Sequence, residues 1–152
     1  MELKEVVHES IVKIFPESIN QEEVLRHLSN LLLEEDYVKE SFSRGVLKRE
    51  REFPTGLELE RIHVAIPHTE VEHVKEAAIA VGIVKQGTTF ANMQNPLKSV
   101  KVHVVFMLAL EKSESHMEIL GKLMDMIQDD KILEKLIESN TASEVIQVIR
   151  NT

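Results

Sequence analysis

The chain has 152 residues, 43% of them hydrophobic and 4% aromatic, and a formal net charge of -8. That length fits one globular domain, expected over residues 1–152, with a core of Leu, Ile, Val and Met rather than of rings. The acidic balance speaks against nucleic acid, whose affinity comes largely from Lys and Arg neutralising phosphates, and against an anionic membrane surface, while the absence of cysteine removes disulfides, thiolate zinc sites and thiol nucleophiles.

Met1-Glu-Leu-Lys-Glu5 is charged and lacks the apolar stretch of a secretion signal. Ile11–Phe15, stopped by Pro16, reads as a short edge strand. Asn20-Gln-Glu-Glu opens a helix, since Asn20 can cap it and acids fill its first turn; Val24, Leu25, Leu28, Leu31 and Leu32 continue it at helical spacing. A second helix is predicted from about Asp36 to Arg49, and Phe53-Pro-Thr-Gly56 is a turn. Ile62–Pro67 and Ala77–Lys85 read as strands, the second broken by Gly87, with a short piece at Phe90–Met93. Val100–Leu110 is the strongest strand pattern, and its near-continuous apolar run places it centrally in a sheet, buried on both faces. Even this run falls short of the ~20 residues needed to span a bilayer, and His103 interrupts it, so a soluble, cytoplasmic protein that is not itself a membrane protein is expected. Helices are predicted over Ser115–Ile127, Asp129–Glu138 and Ala142–Ile149. The pattern is α/β: a mixed, mostly buried sheet with helices on both faces.

The run Arg61-Ile-His-Val-Ala-Ile-Pro-His-Thr-Glu70 carries the chemistry. A proline ends the strand by removing the next ladder donor and delivers His68 at the open end of a rigid element. On spacing alone the plainer reading, a polar residue in a strand-to-loop turn, is favoured. Further on, Ser115 with Glu118 three residues later has the pattern of a capping box and would put His116 at the first helical position, where free N–H groups favour phosphate. Taken alone, an ordinary polar residue in a first turn is again the favoured reading. Lys48-Arg-Glu-Arg-Glu52 reads as a solvated helix end, with the alternative that one arginine folds under the Pro54-Thr55-Gly56 turn toward His68, where a guanidinium would make forked bonds to phosphate. His8 and His27 read as surface residues and His103 as a hydrogen-bonded core residue. His63, His68 and His73 share neither a helix face nor a strand face, which speaks against a metal pair, and no Gly-x-Ser-x-Gly elbow supports a triad hydrolase.

Arg49-Glu50, then Phe53-Pro54-Thr55-Gly56, then Val64-Ala65-Ile66-Pro67-His68, in this order and spacing, resemble the enzyme IIA domain of the mannitol/fructose class of the bacterial phosphoenolpyruvate-dependent sugar phosphotransferase system. Val104–Ala109, the His116 helix and the final helices fit the same pattern, so the resemblance covers nearly the whole chain. Many members have glycine after the active histidine. Here Thr69-Glu70 stands there, and this segment with Pro54-Thr-Gly looks closer to the galactitol-specific branch.

The resemblance implies that His68 accepts a phosphoryl group from the histidine phosphocarrier protein and passes it to a cysteine of an enzyme IIB component, for galactitol or a related sugar or sugar alcohol. It gives Arg49 and His116 charge-stabilising roles and makes Thr55 a candidate for a hydrogen bond near the ring. Val64 and Ile66 are candidates for a dry rim, and no cofactor or metal is implied. Imidazole suits such a relay, because an ordinary histidine, with a pKa near 6.5, is mostly neutral and nucleophilic at pH 7. With no cysteine and no spanning segment here, IIB and the membrane IIC are expected on separate chains. Two alternatives stand beside this reading: a regulatory IIA-like protein that signals through its His68 phosphorylation state, and a non-catalytic binding module of the same fold.

Overall fold

The computed structural model describes residues 1–152. Five strands form one sheet in the order β1-β4-β5-β3-β2: β1 Val12–Phe15, β2 Gly56–Leu57, β3 Val64–Ala65, β4 Ala78–Ala91 and β5 Ser99–Ala109. β1 runs parallel to β4 and β3 parallel to β5, whereas β4–β5 and β2–β3 are antiparallel, so the sheet is mixed as expected. β5 is the central strand and β1 lies at an edge, where the sequence puts them.

Strand alternation sorts the core into two layers. Ile79, Val81, Ile83, Val104, Phe106 and Leu108 face α3 (Glu114–Met126), α4 (Asp130–Glu138) and α5 (Ala142–Arg150). Ala78, Ala80, Val105, Met107 and Ala109 face α1 (Gln21–Glu34) and α2 (Phe42–Glu52). The small alanines on that side let α1 settle closely, with Val24, Leu28 and Leu32 fully buried.

Several boundaries differ from the sequence reading. The second helix starts at Phe42, not Asp36, because Asp36 adopts a left-handed conformation (φ 63°) that closes α1: the Tyr37 amide donates to the Leu32 carbonyl and that of Asp36 to Leu33, a Schellman closure. Val38 then bridges Val74 instead of entering a helix. Gly87 (φ 75°) does not end its strand. It sits in an irregularity between Ile83 and Thr88, beyond which β4 pairs with β5 again and absorbs the separate piece expected near Phe90. Of Ile62–Pro67, only Val64 and Ala65 make regular ladder pairs.

Candidate functional site

β3 and β5 are parallel, so their carboxyl ends open on the same edge of the sheet, the place where α/β proteins gather ligands. Pro67 follows β3 and supplies no donor, but its carbonyl accepts from the Leu108 amide at 2.9 Å, which pins the loop to β5. His68 comes next, half-buried. Its Nδ1 lies 2.9 Å from the Ile66 carbonyl oxygen. A carbonyl only accepts, so Nδ1 carries the proton and donates, and the lone pair of the neutral ring is on Nε2.

His68 lines a cavity of 470 Å³, half of whose lining residues are apolar. Arg49, Thr69, Glu70, Glu111 and Lys112 supply its polar side, and Ile66, Val71, Leu108, Leu110, Met117 and Leu120 its apolar one. Arg49 comes from the last turn of α2 and lines this cavity together with His68. Its guanidinium stacks 4.5 Å above the Phe53 ring, Nη1 stands 3.7 Å from a Glu70 oxygen, and the buried Nε has no partner. Arg49 is thus oriented by an aromatic face. Glu70 also accepts from the Thr69 hydroxyl at 2.7 Å, and this bond, with Arg49 adding a smaller attraction, holds its carboxyl below the usual glutamate range.

His116 is not among the residues that line this cavity, although its neighbour Met117 is. Glu111, Lys112 and Met117 line the cavity on that side, while His116 Nδ1 accepts from the Glu111 amide at 2.9 Å. The proton of its neutral ring is therefore on Nε2, which makes that nitrogen a donor. The helix start differs from the expected one. Ser113, not Ser115, caps α3 by accepting from the His116 amide at 3.2 Å, so His116 is the third helical residue and its N–H is already engaged.

Thr55 does not line the cavity. It is buried, its amide and hydroxyl each donating to one oxygen of Glu50, both at 2.7 Å. Glu50 is 5% exposed, and burial pushes its carboxyl up to about 7 against the opposing pull of the two Thr55 bonds. Val64 lies in the core rather than on a rim, whereas Ile66 does line the cavity. The exposed apolar edge is formed instead by Val71 and Met117. His103 is half-buried and makes no side-chain hydrogen bond, in contrast to the core role expected; burial lowers its pKa, with Lys101 and His63 adding to the effect. No three His, Cys, Asp or Glu side chains converge as a metal-ligand set.

The sequence assigns no role to Glu50, Glu70 or Lys112. The signal for Glu50 was present: it follows Phe42 and Val46 at steps of four along the inward stripe of α2.

A family model described as phosphoenolpyruvate-dependent sugar phosphotransferase system, EIIA 2, matches residues 5–152. The chain is 32% identical over 119 residues to the galactitol-specific EIIA component of the PTS system in Escherichia coli K12, spanning 78% of this chain and 79% of that protein. Its fold is similar to that of the mannitol-specific cryptic phosphotransferase enzyme IIA of Escherichia coli, with a TM-score of 0.80 over 100% of both chains at 18% identity. It is also similar to a chain in a complex of enzyme IIAMTL with phosphorylated enzyme IIBMTL from Escherichia coli, with a TM-score of 0.77, 20% identity, and 95% of this chain and 97% of that one covered. At these identities the solved structures establish the fold: a mixed sheet between two helical layers. The family match spans almost every residue, and with it the chain belongs to the EIIA 2 family of the phosphoenolpyruvate-dependent sugar phosphotransferase system and is a phosphotransferase of that system.

Proposed function

We propose that this protein is a cytoplasmic phosphocarrier that takes a phosphoryl group onto Nε2 of His68 from the histidine phosphocarrier protein. It hands the group to a cysteine of an enzyme IIB component that serves a membrane IIC. The observation that carries this reading is the bond from His68 Nδ1 to the Ile66 carbonyl, which leaves Nε2 as the nucleophile of a cavity shared with Arg49. The Nε2 lone pair attacks the donor's phosphorus. The bond from phosphorus to the donor nitrogen breaks, and its electron pair returns to the donor ring. Nδ1 keeps its proton throughout, and the Ile66 carbonyl offsets the positive charge that develops on the ring. In the second step a IIB thiolate attacks phosphorus and the bond to Nε2 breaks, restoring neutral His68.

Transfer of this kind depends mainly on positioning and electrostatics. Arg49 brings a guanidinium into the same cavity as His68, and His116 brings a neutral Nε2–H donor. The apolar lining and the exposed Val71 and Met117 suit protein partners that cover the site in turn and keep water from the phosphoryl group. The 152 residues hold no cysteine, so the acceptor thiol lies outside them. Galactitol or a related sugar alcohol is the cargo we favour, on the likeness to the galactitol-specific component and the Pro-His-Thr-Glu segment.

Incubation with phosphoenolpyruvate and the general phosphotransfer proteins should add one phosphoryl group to the wild type and none to His68→Ala, which loses one local hydrogen bond and keeps its fold. Label on folded His68→Ala, or none on the wild type, would refute the reading. Onward transfer to purified galactitol and mannitol IIB domains decides the cargo, with faster transfer to the former expected.

A further inference from the structure

Glu50 is the one charged side chain among the buried residues. Burying a carboxylate is costly unless its oxygens are satisfied, and here each oxygen receives one bond from Thr55. The cost recurs at a telling place. Glu50 follows Arg49 on the last turn of α2, so the two side chains point roughly 100° apart, one into the cavity and the other toward the sheet. Thr55 lies just before β2, and its carbonyl accepts from the Ile66 amide at 3.3 Å. Ile66 in turn presents the carbonyl that holds His68 Nδ1. A continuous path of hydrogen bonds thus runs from Glu50 through Thr55 and Ile66 to the ring. It ties the helix that carries Arg49 to the strand end that carries His68.

We propose that Glu50 is a positioning residue for phosphoryl transfer, acting through Thr55 to fix Ile66, and with it the tautomer of His68 and the placement of the ring relative to Arg49. The inference rests on the reading of His68 as the acceptor and adds a device outside the cavity that prepares it. Glutamine can keep the clamp, its carbonyl accepting from the Thr55 amide and its NH2 donating to the Thr55 hydroxyl. Leucine cannot. Thr55→Val removes the hydroxyl alone at nearly constant volume.

The test combines transfer kinetics with 15N NMR of the imidazoles in the full chain. In Glu50→Leu, kcat for phosphorylation by the phosphocarrier protein should fall about tenfold or more with KM within about twofold, because the nucleophile is misplaced while the docking surface is intact. The His68 signals should shift from the pure Nδ1–H form to a mixture of tautomers. Glu50→Gln should recover the rate to within about threefold and restore the pure form. Thr55→Val should move both readouts in the direction of Glu50→Leu, and it decides the matter if the leucine variant does not fold. Folded variants that keep the wild-type rate, or the wild-type ring signature, would overturn the positioning role. The ring signature needs no phosphoryl donor, so it separates the two ideas: a wild type labelled at a residue other than His68 sinks the proposed function, whereas a wild type labelled at His68 beside unaffected variants sinks this inference alone.

Discussion

Glu50 makes the stability of the protein depend on pH in a direction opposite to that of most carboxylates. Burial raises its carboxyl from 4.5 to about 7 in the folded chain, while in the unfolded chain it titrates as an ordinary glutamate. As pH rises from 4.5 the unfolded state gives up this proton first, so between 4.5 and 7 the native state binds more protons, and stability falls. The contribution is complete below pH 4.5 and gone above about 7. At about 1.4 kcal/mol per pH unit, this single group should withdraw about 3 kcal/mol of stability across the window. Glu50→Gln removes the titration and leaves other ionisable groups in place. Urea unfolding followed by circular dichroism from pH 4.5 to 8 should therefore show the variant gaining about 3 kcal/mol relative to the wild type as pH rises. A difference that stays flat across this range would show that Glu50 is not buried as a costly carboxylate.

Arg49→Ala should slow phosphorylation of His68 by about 10- to 100-fold, under the ~4 kcal/mol of a charge pair at about 4 Å in an effective dielectric of about 20, because the guanidinium is partly solvated. His116→Ala, which removes a neutral donor, should slow it by only about 3- to 10-fold. Stopped-flow transfer from the labelled phosphocarrier protein reads both, and unchanged rates would remove these residues from the site. Gly87→Ala should cost about 1–2 kcal/mol in urea unfolding, because φ is 75° and the added carbon would approach the Lys101 side chain to 2.6 Å. An unchanged midpoint would mean that the β4 irregularity relaxes freely.

Much of this fold was legible in the chain because apolar periodicity survives folding. The run ending in Leu110 announced the central strand, and Pro67 announced where His68 would stand. What escaped was decided by choices the pattern leaves degenerate. Ser113 and Ser115 each precede a possible partner by three residues, and only the loop after β5 selects Ser113 as the cap. Asp36 looked like a helix opener, since nothing in its chemistry says that it will take a left-handed backbone and close the preceding helix instead. Within Lys48–Glu52 the charges suggested a solvated helix end, with an arginine turned toward His68 as the alternative; helical geometry leaves Arg49 at the cavity and carries Glu50 inward behind Phe42 and Val46. The resemblance pointed Thr55 toward the ring, but the carboxylate of Glu50 claims both of its donors.

The most decisive experiment is 15N NMR of uniformly labelled protein charged by phosphoenolpyruvate and the general phosphotransfer proteins. A phosphoryl group bonded to Nε2 of His68, with Nδ1 still protonated, is the predicted result. Phosphorus on Nδ1, on another histidine, or on none would contradict it.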